Sequence, residues 1–411
     1  MQLLQCRICG SNGIERFLDL GKQPWGNDFR REPYSCERFP LELYFCHKCS
    51  LVQLGYTVPK EKMFVEHSYM SGTTKTLRGH FGTVAEGIVA KYNIGGADLV
   101  VDIGGNDGTQ LAAYQKFGAR VLNVESGKAQ AEAAIEAGIN TINSFFDSDV
   151  AQDIRSECGY AKVINAAGVF FHLEELHSVA DGIKLLLAPD GVFIVQFVYL
   201  GDIIASNSFD NVYHEHLLYY TLKTLTRLLV MHGLEPIYVE RSPIHGGSII
   251  AHVMHIGTTD TDRSVYSIAQ NERELKYNNL GTYKAFAERA MHVRDRLQDI
   301  ICGRADSGEI IYAYGAPVKG STLINYCGFT SKQIQCAVEK NEHKCMRYYP
   351  GTDIPVIHEK FVNRPDLYLV LAWNFLKEIQ EKEAVFLDND GEFIVPIPNP
   401  TIIWRGLRNG I

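Results

Sequence analysis

Residues 99–109 read Leu99-Val-Val-Asp-Ile-Gly-Gly-Asn-Asp-Gly-Thr109, a short apolar run that passes an aspartate and turns through glycines into a helical stretch. That order predicts a buried strand, a Gly-rich turn whose backbone can approach a ligand, and a helix with its first N–H groups free. Outward from it, β-rich runs alternate with helical ones. Strands are expected at Leu99 to Ile103, Arg120 to Val124, Ile139 to Ile142, Lys162 to Ala166 and Val192 to Phe197. Such alternation predicts a parallel sheet covered by helices, an α/β architecture. After Val198 it stops for about 24 residues rich in His, Tyr and Asn, an insert long enough to need a reason. A helix from about Leu222 to His232 and two strands, Leu234 to Glu240 and Ser248 to His255, then close the unit.

Five parallel strands finished by a hairpin outline a class I methyltransferase sheet rather than a dehydrogenase sheet. Residues 262–302 are highly charged, with apolar positions at helical spacing, and read as a helical connector. Beyond them, Glu309 to Ala313, Ile334 to Val338, Leu367 to Trp373 and Glu392 to Val395 predict a second, smaller Rossmann-like unit. Residues 1–70 show little periodicity and carry Cys6-x-x-Cys9 and Cys46-x-x-Cys49. A core that thin needs a staple. The expected domains are 1–70, 71–258 and 259–411, in keeping with a 411-residue chain at roughly 150 residues per domain.

Apolar residues make up 46% of the chain and charged residues 21%, an ordinary globular composition. Forty basic against 48 acidic side chains leave a net charge of −8, which repels nucleic-acid backbones and anionic lipid, so neither is an expected partner. The opening Met1-Gln-Leu-Leu-Gln-Cys6 lacks a basic segment followed by an apolar one, and no run of about 18 apolar residues occurs, so no export signal or membrane span is expected. Ten cysteines are too few for a disulfide scaffold, and four of them fall in two metal-like pairs, which points to the cytoplasm.

Cys6, Cys9, Cys46 and Cys49 predict a tetrahedral structural zinc site, whose closed shell leaves no position for catalysis. In the Gly turn, Asp102, Gly104, Gly105, Asn106 and Asp107 are candidates for binding a nucleotide-like cofactor. Glu125 ends the second strand, where a carboxylate can accept ribose hydroxyls. The turn lacks the full G-x-G-x-x-G, and Asp102 and Asp107 would crowd a pyrophosphate; the cationic sulfonium and ammonium of S-adenosylmethionine tolerate them. The insert Asn211-Val-Tyr-His-Glu-His216 is the densest cluster of proton-transfer groups, with imidazoles that titrate near neutrality and a phenol and a carboxylate to tune them. His172 follows the fourth strand, at the end where such sheets open their binding crevice. Farther on, Tyr312-Ala-Tyr-Gly-Ala-Pro-Val-Lys-Gly-Ser321 repeats strand, Gly loop and helix. There Gly315, Lys319 and Gly320 suit a phosphate, and Glu339 ends the following strand as Glu125 does.

With these pieces in place the chain resembles, along nearly its whole length, the C-3-methyltransferases of deoxysugar biosynthesis. The shared motifs are the cysteine pairs, Asp102-Ile-Gly-x-Asn-Asp-Gly-Thr109, Leu186-Leu-x-Pro-x-Gly191, Tyr213-His-Glu-His216, Pro243-Ile-His-Gly-Gly247, Tyr314-Gly-Ala-x-x-Lys-Gly320, Asn325-Tyr-Cys-Gly328, Pro350-Gly-Thr-Asp-Ile-Pro355 and Val395-Pro-Ile-Pro398. The resemblance implies a zinc domain, an S-adenosylmethionine domain and a C-terminal domain that helps hold a nucleotide-linked 4-keto-deoxysugar. It implies that His216 is the base, that Tyr213, Glu215 and His172 line the reaction site, and that His214 and the turn with His245, Gly246 and Gly247 approach the sugar. The implied chemistry removes a proton beside a ketone to give an enolate, which needs a base and a donor to the ketone oxygen. On that basis Glu215 or Tyr213 holds the His216 ring, and His172 or Tyr213 donates to the oxygen. The chain departs from the family at Ala167-Gly168, where a polar Asn pair is usual, and at Ala316-Pro-Val-Lys319, where small residues are usual. Two other readings remain at this point: an NAD-dependent nucleotide-sugar oxidoreductase or epimerase, from the two Gly loops, and a zinc-ribbon RNA-modifying protein, which the acidic charge opposes.

Overall fold

A computed structural model describes residues 3, 5–67 and 69–405. The first sheet begins with β1 (Ile14–Gln23), β2 (Phe39–Cys46) and β3 (Val52–Leu54), all antiparallel. Along β2, Phe39, Leu41, Leu43 and Phe45 are buried while the residues between them are half-buried, the period of two of a strand covered on one face. Both cysteine pairs lie on tight turns: the Gly10 N–H donates to the Cys6 carbonyl and the Ser50 N–H to the Cys46 carbonyl.

The central sheet contains β4 (Leu99–Ile103), β5 (Arg120–Val124), β6 (Thr141–Ile142), β7 (Ala161–Ala167) and β8 (Leu187–Val198). The chain then gives up a short strand, β9 (Leu218–Tyr219), to the first sheet, where it pairs with Val52 and Gln53. It returns as β10 (Leu234–Ser242) and β11 (Ser248–His255). The spatial order is β10-β11-β8-β7-β4-β5-β6, with β4 to β8 parallel and the last two antiparallel. The strand order reverses between β4 and β7, which opens a crevice at their carboxyl ends. Three strands match their expected limits, at Leu99, Arg120 and Ser248. The third strand is shorter than expected, with only Thr141 and Ile142 in the ladder.

The last sheet holds β12 (Ile311–Tyr314), β13 (Cys336–Glu339), β14 (Arg347–Tyr348), β15 (Pro355–His358), β16 (Leu367–Val370), β17 (Glu392–Val395) and β18 (Thr401–Ile403). Its order is β14-β15-β13-β12-β16-β17-β18, a parallel centre with antiparallel edges. β16 stops at Val370, three residues before the expected end, and the chain turns so that Trp373 begins a short helical turn.

The connector is two helices, as its apolar spacing requires. In the first, Arg263–Glu274, the buried Glu272 accepts from the Tyr199 hydroxyl at 3.0 Å and from the N–H groups of Leu222 and Lys223. Those two residues open the helix Leu222–Met231, so a carboxylate caps its positive end. The second, Leu280–Asp306, is 27 residues and so about 40 Å long. Its Tyr283 packs on Phe17 and Phe45 of the first sheet, and its Gln298 donates to the Cys327 carbonyl at 2.8 Å. Among the described residues no helix is long and apolar enough to cross a membrane.

Candidate active site

The sulfurs of Cys6, Cys9, Cys46 and Cys49 all lie within 4.8 Å of one another, with Cys6 and Cys49 at 3.4 Å and Cys9 and Cys46 at 3.6 Å. Four thiolates about 2.3 Å from a tetrahedral zinc stand about 3.8 Å apart, whereas a disulfide would bring two sulfurs to about 2 Å. The donor set therefore fits zinc, and all four cysteines are free. Cys36 instead donates to the Asp28 carbonyl at 3.0 Å.

At the end of β4 the chain makes a turn that only glycine fits. A Cβ on Gly105 would sit 2.4 Å from Asn123 Oδ1 and 2.9 Å from Asp102. Glu125, at the end of β5, accepts the Asn106 N–H at 2.9 Å on one oxygen and the Gly127 N–H at 2.6 Å on the other. Each oxygen keeps a lone pair. Asp102 is buried, and burial with the nearby Glu125 pushes its pKa up to about 7. Gln130 Oε1 is buried beside Gly127 without a hydrogen-bond partner. A crevice lined by two carboxylates and a bare amide oxygen suits a cation with ribose hydroxyls, and so fits S-adenosylmethionine. Asp107 is otherwise engaged: one oxygen accepts the Thr109 hydroxyl at 2.6 Å and the other the Gly72 N–H at 2.7 Å. The segment over this turn is tied to it. Asn106 donates to the Tyr69 carbonyl and accepts the Ser71 N–H, and Gln130 donates to the carbonyls of His67 and Tyr69.

Beyond β7, Phe171 and His172 meet the insert. The His216 ring lies 3.8 Å from Tyr213, 4.5 Å from Phe171 and 5.2 Å from His172, centroid to centroid. Its Nδ1 faces the Asn211 carbonyl at 3.0 Å, so Nδ1 carries the proton and Nε2 the lone pair in the neutral ring. Burial, with neighbouring His172 and His245, pushes the pKa of His216 well below 6.5. His172 Nδ1 likewise donates to a carbonyl, that of Glu215, and burial lowers its pKa to about 4. Burial, with Glu215 and Tyr219 next in effect, raises the Tyr213 phenol well above 10. Glu215 is buried with no well-formed hydrogen bond on either oxygen, and burial pushes it up to about 7.

Two expectations need correction. The His216 Nδ1 is held by the Asn211 main chain, because the tight turn at Phe209–Asn211 aims that carbonyl at it, while Tyr213 meets the ring only by stacking. The His214 ring is turned to the first sheet rather than to His216. Its Nε2 meets the Pro40 carbonyl at 3.3 Å and its ring packs on Phe39, so it faces the first sheet.

The Pro243-Ile-His-Gly-Gly247 turn lies near Trp373: a Cβ on Gly246 would sit 3.8 Å from that ring. Gly247, at φ +125, leaves no room for a side chain beside Asp202. In the last unit Lys319, the second residue of the helix Val318–Cys327, is not free. Its Nζ lies 3.8 Å from the Trp373 ring centre and 4.0 Å from Asp210, and burial lowers its pKa to about 8. Gly320 makes room for Tyr349, whose hydroxyl would lie 2.5 Å from a Cβ there. Gly315 donates to the Val338 carbonyl, and Glu339 accepts the Ala316 N–H at 2.9 Å. Sequence reasoning missed Asp210, Trp373, and the His80–Gln196 pair at 2.8 Å. The signal available for Trp373 was its place just after a parallel strand, where such sheets bind ligands.

Family models match three stretches: a zinc binding domain at residues 6–64, a methyltransferase domain at 90–239, and a C-methyltransferase C-terminal domain at 243–398. C-methyltransferase NovU of Streptomyces niveus is 31% identical over 405 residues, covering 97% of this chain and 96% of that protein. Among solved structures, magnesium protoporphyrin IX methyltransferase from Synechocystis PCC 6803 with bound S-adenosylmethionine is 15% identical, with a TM-score of 0.34 over 43% of this chain and 79% of that one. A methyltransferase of Anabaena variabilis dependent on the same cofactor is 18% identical, with a TM-score of 0.35 over 43% and 85%. Identity to NovU across essentially the whole of both chains, with the four-cysteine cluster and the acceptor-lined crevice in place, means that the protein belongs to the C-methyltransferase family with an N-terminal zinc binding domain and is an S-adenosylmethionine-dependent enzyme.

Proposed function

We propose that the enzyme methylates C-3 of a nucleotide-linked 4-keto-6-deoxysugar, with His216 removing the C-3 proton. S-adenosylmethionine supplies an electrophilic methyl group, and carbon accepts it only once a proton has been taken from beside the ketone. The observation that carries the reading is the state of His216: buried, neutral, protonated on Nδ1 by its bond to Asn211, and bare on Nε2. A neutral imidazole with one lone pair is a base.

Proton removal places negative charge on the C-4 oxygen, which needs a hydrogen-bond donor. The two candidates differ. The one Nδ1 proton of neutral His172 already goes to the Glu215 carbonyl, leaving that ring no donor. Tyr213 keeps its proton at neutral pH and stacks on His216, so it is the donor. Gly315, Gly320 and Glu339 frame the loop proposed to hold the nucleotide diphosphate, and the His245, Gly246 and Gly247 turn closes over the sugar. Lys319 contributes a positive charge at the border between loop and sugar.

The test uses the zinc-loaded protein in deuterated water with a nucleotide-linked 4-keto-6-deoxysugar and no methyl donor. Deuterium should enter C-3, and His216→Gln should stop it while S-adenosylhomocysteine still raises the melting temperature. Exchange that survives in the variant removes His216 from the mechanism.

A further inference from the structure

Asp210 lies in the turn Phe209–Asn211 and is only 1% exposed. A lone carboxylate at that depth is costly unless something holds it. Two side chains of the C-terminal unit do. The Trp373 indole N–H donates to Asp210 Oδ2 at 2.6 Å, and Lys319, seated on the Trp373 ring, brings its ammonium to 4.0 Å from the same oxygen. The other oxygen, Oδ1, is buried without a well-formed hydrogen bond, and apart from the pair only the backbone N–H groups of Asp210 itself and Asn211 act on this carboxylate. The next residue in the chain is Asn211, whose carbonyl takes the Nδ1 proton of His216. The Thr322 hydroxyl then grips the Val212 carbonyl at 2.7 Å, so the same helix that carries Lys319 pins the other side of Asn211.

We infer that Asp210 is a positioning residue, anchored by Trp373 and Lys319, that fixes the tautomer of His216 through the Asn211 carbonyl. The inference rests on His216 being the base. An imidazole in water favours the proton on Nε2, the tautomer that would present N–H rather than a lone pair to the substrate. The Asn211 carbonyl reverses that preference, and it does so only while the turn is held. The last Rossmann-like unit therefore takes part in the proton transfer without touching the reacting carbon.

The experiment is nitrogen NMR of protein labelled with ¹⁵N-histidine, with the His216 signals assigned by their loss in His216→Gln. The wild type should show a protonated Nδ1 and a bare Nε2. In Asp210→Ala and in Trp373→Phe the signals should move to a tautomer mixture, and kcat for C-3 deuterium exchange should fall by about 10-fold or more. Asp210→Asn keeps an oxygen for the indole and should restore the single tautomer. Zinc content and the thermal shift with S-adenosylhomocysteine report folding. If Asp210→Ala fails them, Trp373→Phe, at a partly exposed position, carries the test. An unchanged His216 tautomer in a folded variant overturns the inference and leaves the base reading intact. Exchange that persists in His216→Gln overturns the base reading, whatever the tautomer.

Discussion

Glu125 and Glu339 occupy equivalent places in two different sheets: each ends the second strand of its unit and accepts the N–H of its own Gly loop, Asn106 in one and Ala316 in the other, both at 2.9 Å. Each also takes backbone N–H groups just after its strand, Gly127 for the first and Lys340 and Asn341 for the second. One carboxylate thus sets a loop and offers its remaining lone pairs to a ligand.

The two should separate two ligands. Glu125→Ala should weaken S-adenosylhomocysteine binding by about 10- to 100-fold, the worth of one or two charge-assisted hydrogen bonds. Glu339→Ala should leave that affinity alone and raise KM for the nucleotide sugar. Calorimetric titration of each variant with both ligands checks the division.

Tyr213→Phe should reduce both C-3 exchange and methylation by about 100-fold, the usual cost of one donor to a developing oxyanion. His172→Asn should cost less, because the wild-type ring has no free N–H to give. A larger loss in His172→Asn than in Tyr213→Phe would exchange their roles.

Stability should fall on both sides of a mildly acidic optimum. Glu215, raised from 4.5 to about 7 by burial, holds its proton more tightly folded than unfolded. Its contribution is complete below about pH 4.5 and is lost as pH rises through 7. Glu215→Gln should therefore raise the melting temperature at pH 8 and not at pH 5, with at most about 3 kcal/mol at stake. His172, lowered from 6.5 to about 4 by burial, acts in the opposite sense and loses stability as pH falls through that range. Thermal melts of wild type and variant at several pH values give the answer directly.

Cys49→Ser should drop zinc below one per chain and lower the melting temperature, since metal binding at such a site is folding free energy. The affinity of the folded fraction for S-adenosylhomocysteine should stay the same, because the cluster sits on turns of the first sheet and the cofactor turn follows β4 of the central sheet. Metal analysis beside a binding isotherm tests both halves.

Much of this was legible in the sequence, for a physical reason. β4 and β5 are short, mostly apolar runs bounded by turn residues, and the cysteine spacing carries its own geometry, so local pattern was enough. Local pattern fails where the partner is distant. Two residues such as Leu218 and Tyr219 have no periodicity, and their ladder runs to Val52 and Gln53. Asp210 and Trp373 stand 163 positions apart in the chain. The cluster Tyr213-His-Glu-His216 announced proton chemistry, but only three dimensions show that one imidazole turns toward the first sheet and the other toward Tyr213.

The crossing of β9 into the first sheet also orders events in time. As the polypeptide leaves the ribosome, both cysteine pairs emerge early and can take up metal, yet the edge of β3 stays open until residue 219 has been made. At about 5–20 residues per second that delay is on the order of ten to thirty seconds. For that interval a bare strand edge of Val52, Gln53 and Leu54 is open to any passing chain, a liability that a chaperone would cover.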